Sequence, residues 1–223
     1  MLSIVIPTLR AADRIADQLD RLATAEIADE IIVADGGSDD GTAEIAAAWG
    51  ARVVVTAPGR GGQLAAGADL ATGNWLLFLH ADTHPGPGWG TVVKRFINDP
   101  ANAFHAGYFH FALDDPAPAA RRLETLVAWR CRWLGLPYGD QGLLIGSEYY
   151  ERLGGFPDIP LMEDVALVRR ISRHRLRELS AIASTSAERY RRDGYLARPA
   201  RNLLCLGLYF LGVPPRDLVK FYG

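Results

Sequence analysis

Short apolar runs alternate with helical stripes from the first residue onward. Leu2–Ile6 is apolar and ends at Pro7, and Ile15, Leu19 and Leu22 then recur at the spacing of a half-buried helix. Glu30–Ala34 predicts a second strand closing at Asp35. A loop of Gly, Ser and Asp follows over 36–42, and a helix runs from Thr42 until Gly50 stops it. Arg52–Thr56 predicts a third strand, 57–62 a glycine-rich loop carrying Arg60, and Gln63–Ala71 a helix with Gly73 as its punctuation. Trp75–Leu79 is wholly apolar and too short for a helix, the pattern of a strand buried on both faces. The chain then turns polar at His80, Asp82, Thr83 and His84, which places Asp82 where a central strand leaves the sheet. Strands separated by helices of this length predict parallel pairing and right-handed crossovers.

Beyond Asp82 the pattern is more broken. Pro85 and Pro87 sit in a glycine-rich loop, Trp89–Asn98 predicts a helix, and the alternation over Ala103–Leu113 predicts a strand. Ala119–Leu134 reads as a long helix, 135–142 as a loop, Leu143–Ile145 as a short strand and Ser147–Leu153 as a short helix. Residues 154–157 make a turn, and Val165–His174 predicts a helix that begins after Glu163 and Asp164. The tail Asn202–Val213 is apolar and closes at Pro214 and Pro215. There is no internal repeat, so 1–223 is expected to be one α/β domain with a mostly parallel central sheet and helices on both faces. Its parts are a nucleotide-binding half over 1–84, an acceptor and catalytic half over 85–200, and a helical tail over 201–223.

Composition narrows the function classes. The chain has 223 residues, 49% hydrophobic and 22% charged, with a net charge of −2, which gives no global field toward nucleic acid. The 2 cysteines, Cys131 and Cys205, are far apart and form no C-x-x-C pattern, so neither a zinc cluster nor a disulfide framework is expected. Met1 leads straight into the first strand with no basic n-region, and no run reaches the roughly 18 apolar residues of a spanning helix. The expectation is a cytoplasmic chain, with contact at the inner face of a membrane left open because Asn202–Val213 and the Trp129–Trp133 segment suit a bilayer surface as well as a packed interior.

The candidate chemistry lies at strand ends, where open α/β sheets bind ligands. Pro7 and Thr8 follow the first strand, Asp35 ends the second, Arg60 follows the third, and His80, Ala81 and Asp82 follow the fourth. A base and ribose need a few placed donors and acceptors, and a diphosphate needs positive charge or metal. Singly, Asp35 reads as a turn carboxylate and Arg60 as a loop charge; jointly they read as a nucleotide site. His80 and Asp82, two apart in an extended segment, share a face suited to a divalent cation or a polar ligand. No G-x-G-x-x-G follows the first strand and no G-x-x-x-x-G-K-[ST] occurs, which sets aside dinucleotide-binding and P-loop folds. Glu163 and Asp164 precede a helix, as caps do, yet a carboxylate also suits the general base that an acceptor hydroxyl needs. Asp140 and Gln141 in the 137–142 loop read as an acceptor-side wall or as a plain turn.

Five segments in order, IVIPT at 4–8, VADGGSDDGT at 33–42, LLFLHADT at 76–83, GGFP at 154–157 and MEDVALVRR at 162–170, resemble an inverting family 2 glycosyltransferase of the GT-A fold. The resemblance implies a nucleotide-diphosphate sugar donor, in all expectation UDP-linked, a Mg²⁺ or Mn²⁺ cofactor and a small-molecule or lipid-linked acceptor. It puts Thr8, Asp35 and Arg60 on nucleotide positions, Asp82 on the second acid of the D-x-D metal motif and Asp164 on the catalytic base. His80 replaces the motif's first acid, which leaves ribose contact and metal contact both open. Arg189, in Ala187–Tyr190, resembles an Arg-Trp element that closes the donor site. PYGDQG at 137–142, FPDIPLMED at 156–164 and LYFLGVPP at 208–215 resemble a bacterial subgroup of arsenosugar-biosynthesis-associated glycosyltransferases. The competing expectation is a non-catalytic nucleotide-sugar-binding or membrane-docking module of the same fold.

Overall fold

The computed structural model describes residues 1–222. Four strands, β1 (Leu2–Thr8), β2 (Glu30–Asp35), β3 (Arg52–Val55) and β4 (Trp75–Phe78), pair in parallel in the order β3-β2-β1-β4. Helices α1 (Ile15–Ala23), α2 (Thr42–Ala48) and α3 (Arg60–Leu70) are the crossovers between them. Both faces of this half are covered, as the unbroken apolar runs require. Leu2, Ile4 and Ile6 of β1 pack with Ile15 and Leu19 of α1 on one face, while Val5 packs with Leu64 of α3 on the other. The periodicity of two in the strand thus divides one apolar run between two cores.

The sheet continues past β4 with mixed directions. β5 (Thr83–Pro85), β6 (Ala106–Leu113), β7 (Leu143–Gly146) and β8 (Leu176–Thr185) extend it as β4-β7-β6-β8-β5. β7 is antiparallel to both β4 and β6, β6 and β8 are parallel, and β5 is antiparallel to β8. The remaining helices are α4 (Trp89–Asn98), α5 (Pro118–Leu134), α6 (Ser147–Arg152), α7 (Glu163–Val168), α8 (Glu188–Asp193), α9 (Ala197–Phe210) and α10 (Pro215–Tyr222). Trp89, Val93 and Phe96 of α4 join the core of α1, and Tyr149 of α6 joins that of α3. Among the described residues no helix is long and apolar enough to cross a membrane.

Several expectations are corrected here. Residues 83–85 form a strand rather than a loop, and the strand β8 was not expected at all. Its buried positions after Leu179 are the small Ala183 and the polar Thr185, while Ile182 is exposed, so no hydrophobic alternation marks the strand in sequence; its pairing with β6 also shifts register between Phe109 and His110. The helix expected over 165–174 ends at Val168 and gives way to a short 3₁₀ turn at Arg173–Arg175. The helix expected from Gln63 starts at Arg60, so Arg60 is helical rather than in a loop. The apolar tail begins its helix at Ala197, and a further helix follows Pro214. His80 and Asp82 lie in a turn beyond β4, closed by the Thr83 N–H donating to the His80 carbonyl at 3.1 Å, so strand alternation does not orient them.

Candidate functional site

A cleft of about 500 Å³ opens at the carboxyl ends of β1 and β4 and the start of α3, with Pro7, Thr8, Arg60, His80, Ala81 and Asp82 in its walls. A second hollow of about 100 Å³ adjoins it and shares Arg60, His80, Asp82 and Arg189. Asp140 and Asp164 line this second hollow, together with Arg198 and Asn202 of α9. The structure therefore gathers most of the expected residues around one opening.

Three expected residues point elsewhere: Asp35, Gln141 and Glu163. Asp35 is only 1% exposed: its carboxylate accepts from the Thr8 hydroxyl at 2.8 Å, the Ser38 hydroxyl at 2.6 Å and the Ser38 N–H at 2.7 Å. It stands behind Thr8 and fixes the ends of β1 and β2. Gln141 is likewise buried: its Oε1 accepts from Arg130 at 3.1 Å and its Nε2 donates to the Phe109 carbonyl at 3.2 Å. Of the 140–141 pair, only Asp140 reaches the hollow, because consecutive side chains in the 3₁₀ turn Gly139–Gln141 diverge.

Two residues that the sequence did not single out hold the walls in place. Gln63, buried on α3, donates to the Thr8 carbonyl at 2.6 Å and to the Ala34 carbonyl at 2.8 Å, which ties the helix to the ends of β1 and β2. In sequence it is an ordinary polar helix residue; only its burial reveals the task. Gly139 is the other. A Cβ there would lie 2.6 Å from His80 Nε2, so the backbone of the 139–141 turn comes as near to the imidazole as a side-chain-free residue allows. The Gly139 N–H also donates to Asp164 Oδ2 at 2.8 Å.

Glu163 and Asp164 are separated by their surroundings. Met162, just before α7, has φ 66°, a left-handed conformation uncommon for a side chain of its size. Beyond it Glu163 turns inward, 1% exposed, with Oε1 3.5 Å from Arg60 Nη1 and Oε2 buried without a hydrogen-bond partner. Burial, then the neighbouring Asp164, pushes its carboxyl up to about 7, against the pull of Arg60. Asp164 is half-buried and faces the hollow.

The other titratable groups follow the same physics. Burial and then Arg60 push the His80 imidazole down to about 4, so it is neutral at physiological pH and offers one donor and one acceptor nitrogen. Burial pushes Asp140 up to about 6 although Arg130 opposes it, and its Oδ1 has no partner. Asp82 is half-buried in the turn and makes no hydrogen bond to a described residue. Among the described residues no cluster of three metal-ligating side chains occurs. A single open carboxylate still fits a hard cation that takes its other oxygens from a phosphate and water.

Residues 3–146 match the family model described as glycosyl transferase family 2. A PGL/p-HBAD biosynthesis glycosyltransferase of Mycobacterium tuberculosis (strain ATCC 25177 / H37Ra) is 42% identical over 90 residues, 37% of this chain and 35% of that protein. The match thus spans about a third of the relative's length. Among solved structures, a mannosyltransferase from Pyrobaculum calidifontis in complex with GDP-Man and Mn²⁺ superposes with a TM-score of 0.63 at 20% identity, covering 90% of this chain and 59% of that one. Glucosyl-3-phosphoglycerate synthase from Mycobacterium tuberculosis in complex with Mn²⁺, UDP and glucosyl-3-phosphoglycerate gives 0.59 at 20% identity, over 83% and 70%. At these identities the two structures speak for the fold, whereas the family model covers well over half of the sequence: the chain belongs to glycosyl transferase family 2.

Proposed function

We propose that this protein transfers a sugar from a nucleoside-diphosphate donor, UDP-linked, to an acceptor hydroxyl, with inversion at the anomeric carbon. The observation that carries the reading is the sharing of one hollow by two carboxylates of different kind, Asp82 beside the donor cleft and Asp164 across from it, with Arg60 and Arg189 in the same walls. Thr8, with Asp35 behind it, shapes the base and ribose end, and Arg60 offers positive charge near the diphosphate end. Asp164, its Oδ2 held by the Gly139 N–H, takes the proton of the acceptor hydroxyl as that oxygen attacks the anomeric carbon. The carbon–oxygen bond to the diphosphate breaks on the opposite face, so one displacement inverts the centre. Neutral His80, in the walls of both hollows, would bond a ribose or sugar hydroxyl.

A divalent cation, Mg²⁺ or Mn²⁺, bound through Asp82 and ligand oxygens, would offset charge on the departing diphosphate. Support comes from the open Asp82 carboxylate and from the Mn²⁺ and nucleotide or nucleotide sugar bound in the two superposed glycosyltransferases. Asp140 lines the hollow and its buried Oδ1 has no partner, which suits a hydrogen bond to a polyhydroxylated acceptor or sugar. The narrower likeness to arsenosugar-associated members names no acceptor, and small-molecule and lipid-linked alcohols both suit this wall.

The test is UDP release from a panel of UDP-sugars with Mn²⁺, in the parent and in Asp164→Asn. Slow metal-stimulated release in the parent, reduced about 10²–10⁴-fold in the variant, is expected. UDP binding with no release from any donor, in the presence of candidate acceptors, would favour a non-catalytic binding module.

A further inference from the structure

α9 is apolar on two sides. One side packs inward through Cys205 and Leu206, in a cluster with Val165 and Leu218. The other carries Leu196, Ala200, Leu203, Leu204, Phe210 and Leu211 at helical spacing, beginning one residue before the helix and ending one residue after it. Leu203 is 62% exposed and Leu211 82% exposed. The stripe runs for about 20 Å at the helical rise. A contiguous exposed apolar stripe of this length marks an interaction surface.

Its border is basic. The Arg169 guanidinium lies 4.9 Å from the centre of the Phe210 ring. Arg201 sits on α9 itself, and exposed Arg216 and Lys220 sit on α10, which packs on α9 through Leu218. The acids nearby are already engaged, Asp193 with Arg192, Arg198 and, at 3.9 Å, Arg201, and Asp217 with Lys220, so the excess of positive charge rests on Arg169 and Arg216. The charge of the chain is divided in the same sense: residues 1–117 hold 7 Lys and Arg against 15 Asp and Glu, residues 118–223 hold 17 against 11. Net composition, at −2, conceals this division.

We propose that this face of α9 docks on an anionic phospholipid bilayer, with the leucine stripe in the interface and the arginines against phosphate headgroups. A helix with a leucine and aromatic face bordered by Arg and Lys lies in a membrane surface rather than across it. A second copy of the chain fits less well, because a two-fold contact would bring Arg169 and its equivalents together unpaired. The inner side of the same helix sends Arg198 and Asn202 to the hollow that holds Asp82 and Asp164. Docking therefore brings the hollow close to the lipid surface, and, resting on the glycosyl-transfer reading, selects a lipid-linked alcohol as acceptor.

Co-sedimentation with vesicles tests the docking without any activity. Vesicles of phosphatidylcholine with phosphatidylglycerol should carry the protein down, less so as salt rises, and vesicles of phosphatidylcholine alone should carry less. The triple variant Leu203→Gln, Leu204→Gln and Leu211→Gln should lose vesicle partitioning by roughly tenfold or more. Circular dichroism and thermal unfolding of the variant show that it is folded. Arg169→Glu with Arg216→Glu, all on exposed side chains, should weaken binding to the anionic vesicles alone. Absence of parent binding, equal binding to both vesicle types, or parental binding by a folded triple variant would each overturn the proposal. A parent that scatters light as a dimer and a triple variant that scatters as a monomer would assign the stripe to a second copy. Vesicle binding with no affinity for UDP would leave the docking standing and remove the donor site instead.

Discussion

The two halves of the sheet do different work by different means. In the parallel half, β1 to β4 present their carboxyl ends together, and the larger cleft is made by backbone termini fixed through buried polar bonds such as Thr8–Asp35 and Gln63–Thr8. In the mixed half, the hollow is made by turns and short helices: the 3₁₀ turn at Gly139, the left-handed Met162 and the start of α7. The first arrangement recurs wherever parallel strands end side by side. In the second, each side chain depends on a local backbone conformation. On the proposed reading, the difference puts nucleotide recognition on strand ends tied by buried hydrogen bonds and acceptor recognition on turns.

The sharpest way to break this contrast is to disturb a turn while leaving the frame alone. Gly139→Ala puts a Cβ into the space held by the His80 ring, and the turn that bonds Asp164 must shift. Displacements of about 1 Å at a reacting group cost on the order of 10²-fold. Single-turnover transfer should fall by about that factor with UDP affinity within a few fold. An equal loss in both would place Gly139 in the donor frame.

A frame-side change should act on binding. Asp82→Ala is expected to lower UDP affinity measured with Mn²⁺ by about tenfold or more, while affinity without metal stays near the parent's. Calorimetry with and without metal reads this directly. Identical metal enhancement in parent and variant would remove Asp82 from the cation site.

The smallest effect concerns stability and pH. Glu163 has its folded-state pKa raised, from an ordinary value near 4.5 to about 7. A raised carboxyl binds its proton more tightly in the folded state, so its contribution is fully present below pH ~4.5 and is lost as pH rises through ~7. Glu163→Gln should flatten this part of the profile, by at most about 3 kcal/mol between those limits. Thermal unfolding of parent and variant across the window is the measurement; parallel profiles would mean that Arg60 compensates the buried charge fully.

Legibility in the sequence follows the same division. The strands of the parallel half were readable to within a residue or two, because a strand buried on both faces must be apolar throughout. β8 was not, since its buried positions after Leu179 are Ala183 and Thr185 while Ile182 is exposed, and Thr83–Pro85 is too short to carry a pattern. Asp82, Asp140, Asp164, Arg60 and Arg189, candidates in the sequence, stand around one opening. Asp35 and Gln141 were legible as polar residues in the right loops, but the direction of a side chain is a tertiary property, and both turn inward. The exposed stripe of α9 shows the limit from the other side. Its leucines are as apolar as those of a core, and only the packed structure tells which side of the helix has found a partner.

The central claim is that the two carboxylates of the opening have separate tasks, Asp82 in donor binding and Asp164 in proton removal. It is tested most directly by measuring single-turnover transfer and UDP affinity side by side in Asp164→Asn, once a donor and acceptor pair is in hand. The account predicts a rate lower by about 10²–10⁴-fold with UDP affinity within a few fold of the parent. Parental turnover in Asp164→Asn would contradict it, and loss of UDP binding in that variant would make Asp164 a support of the donor site instead of the base.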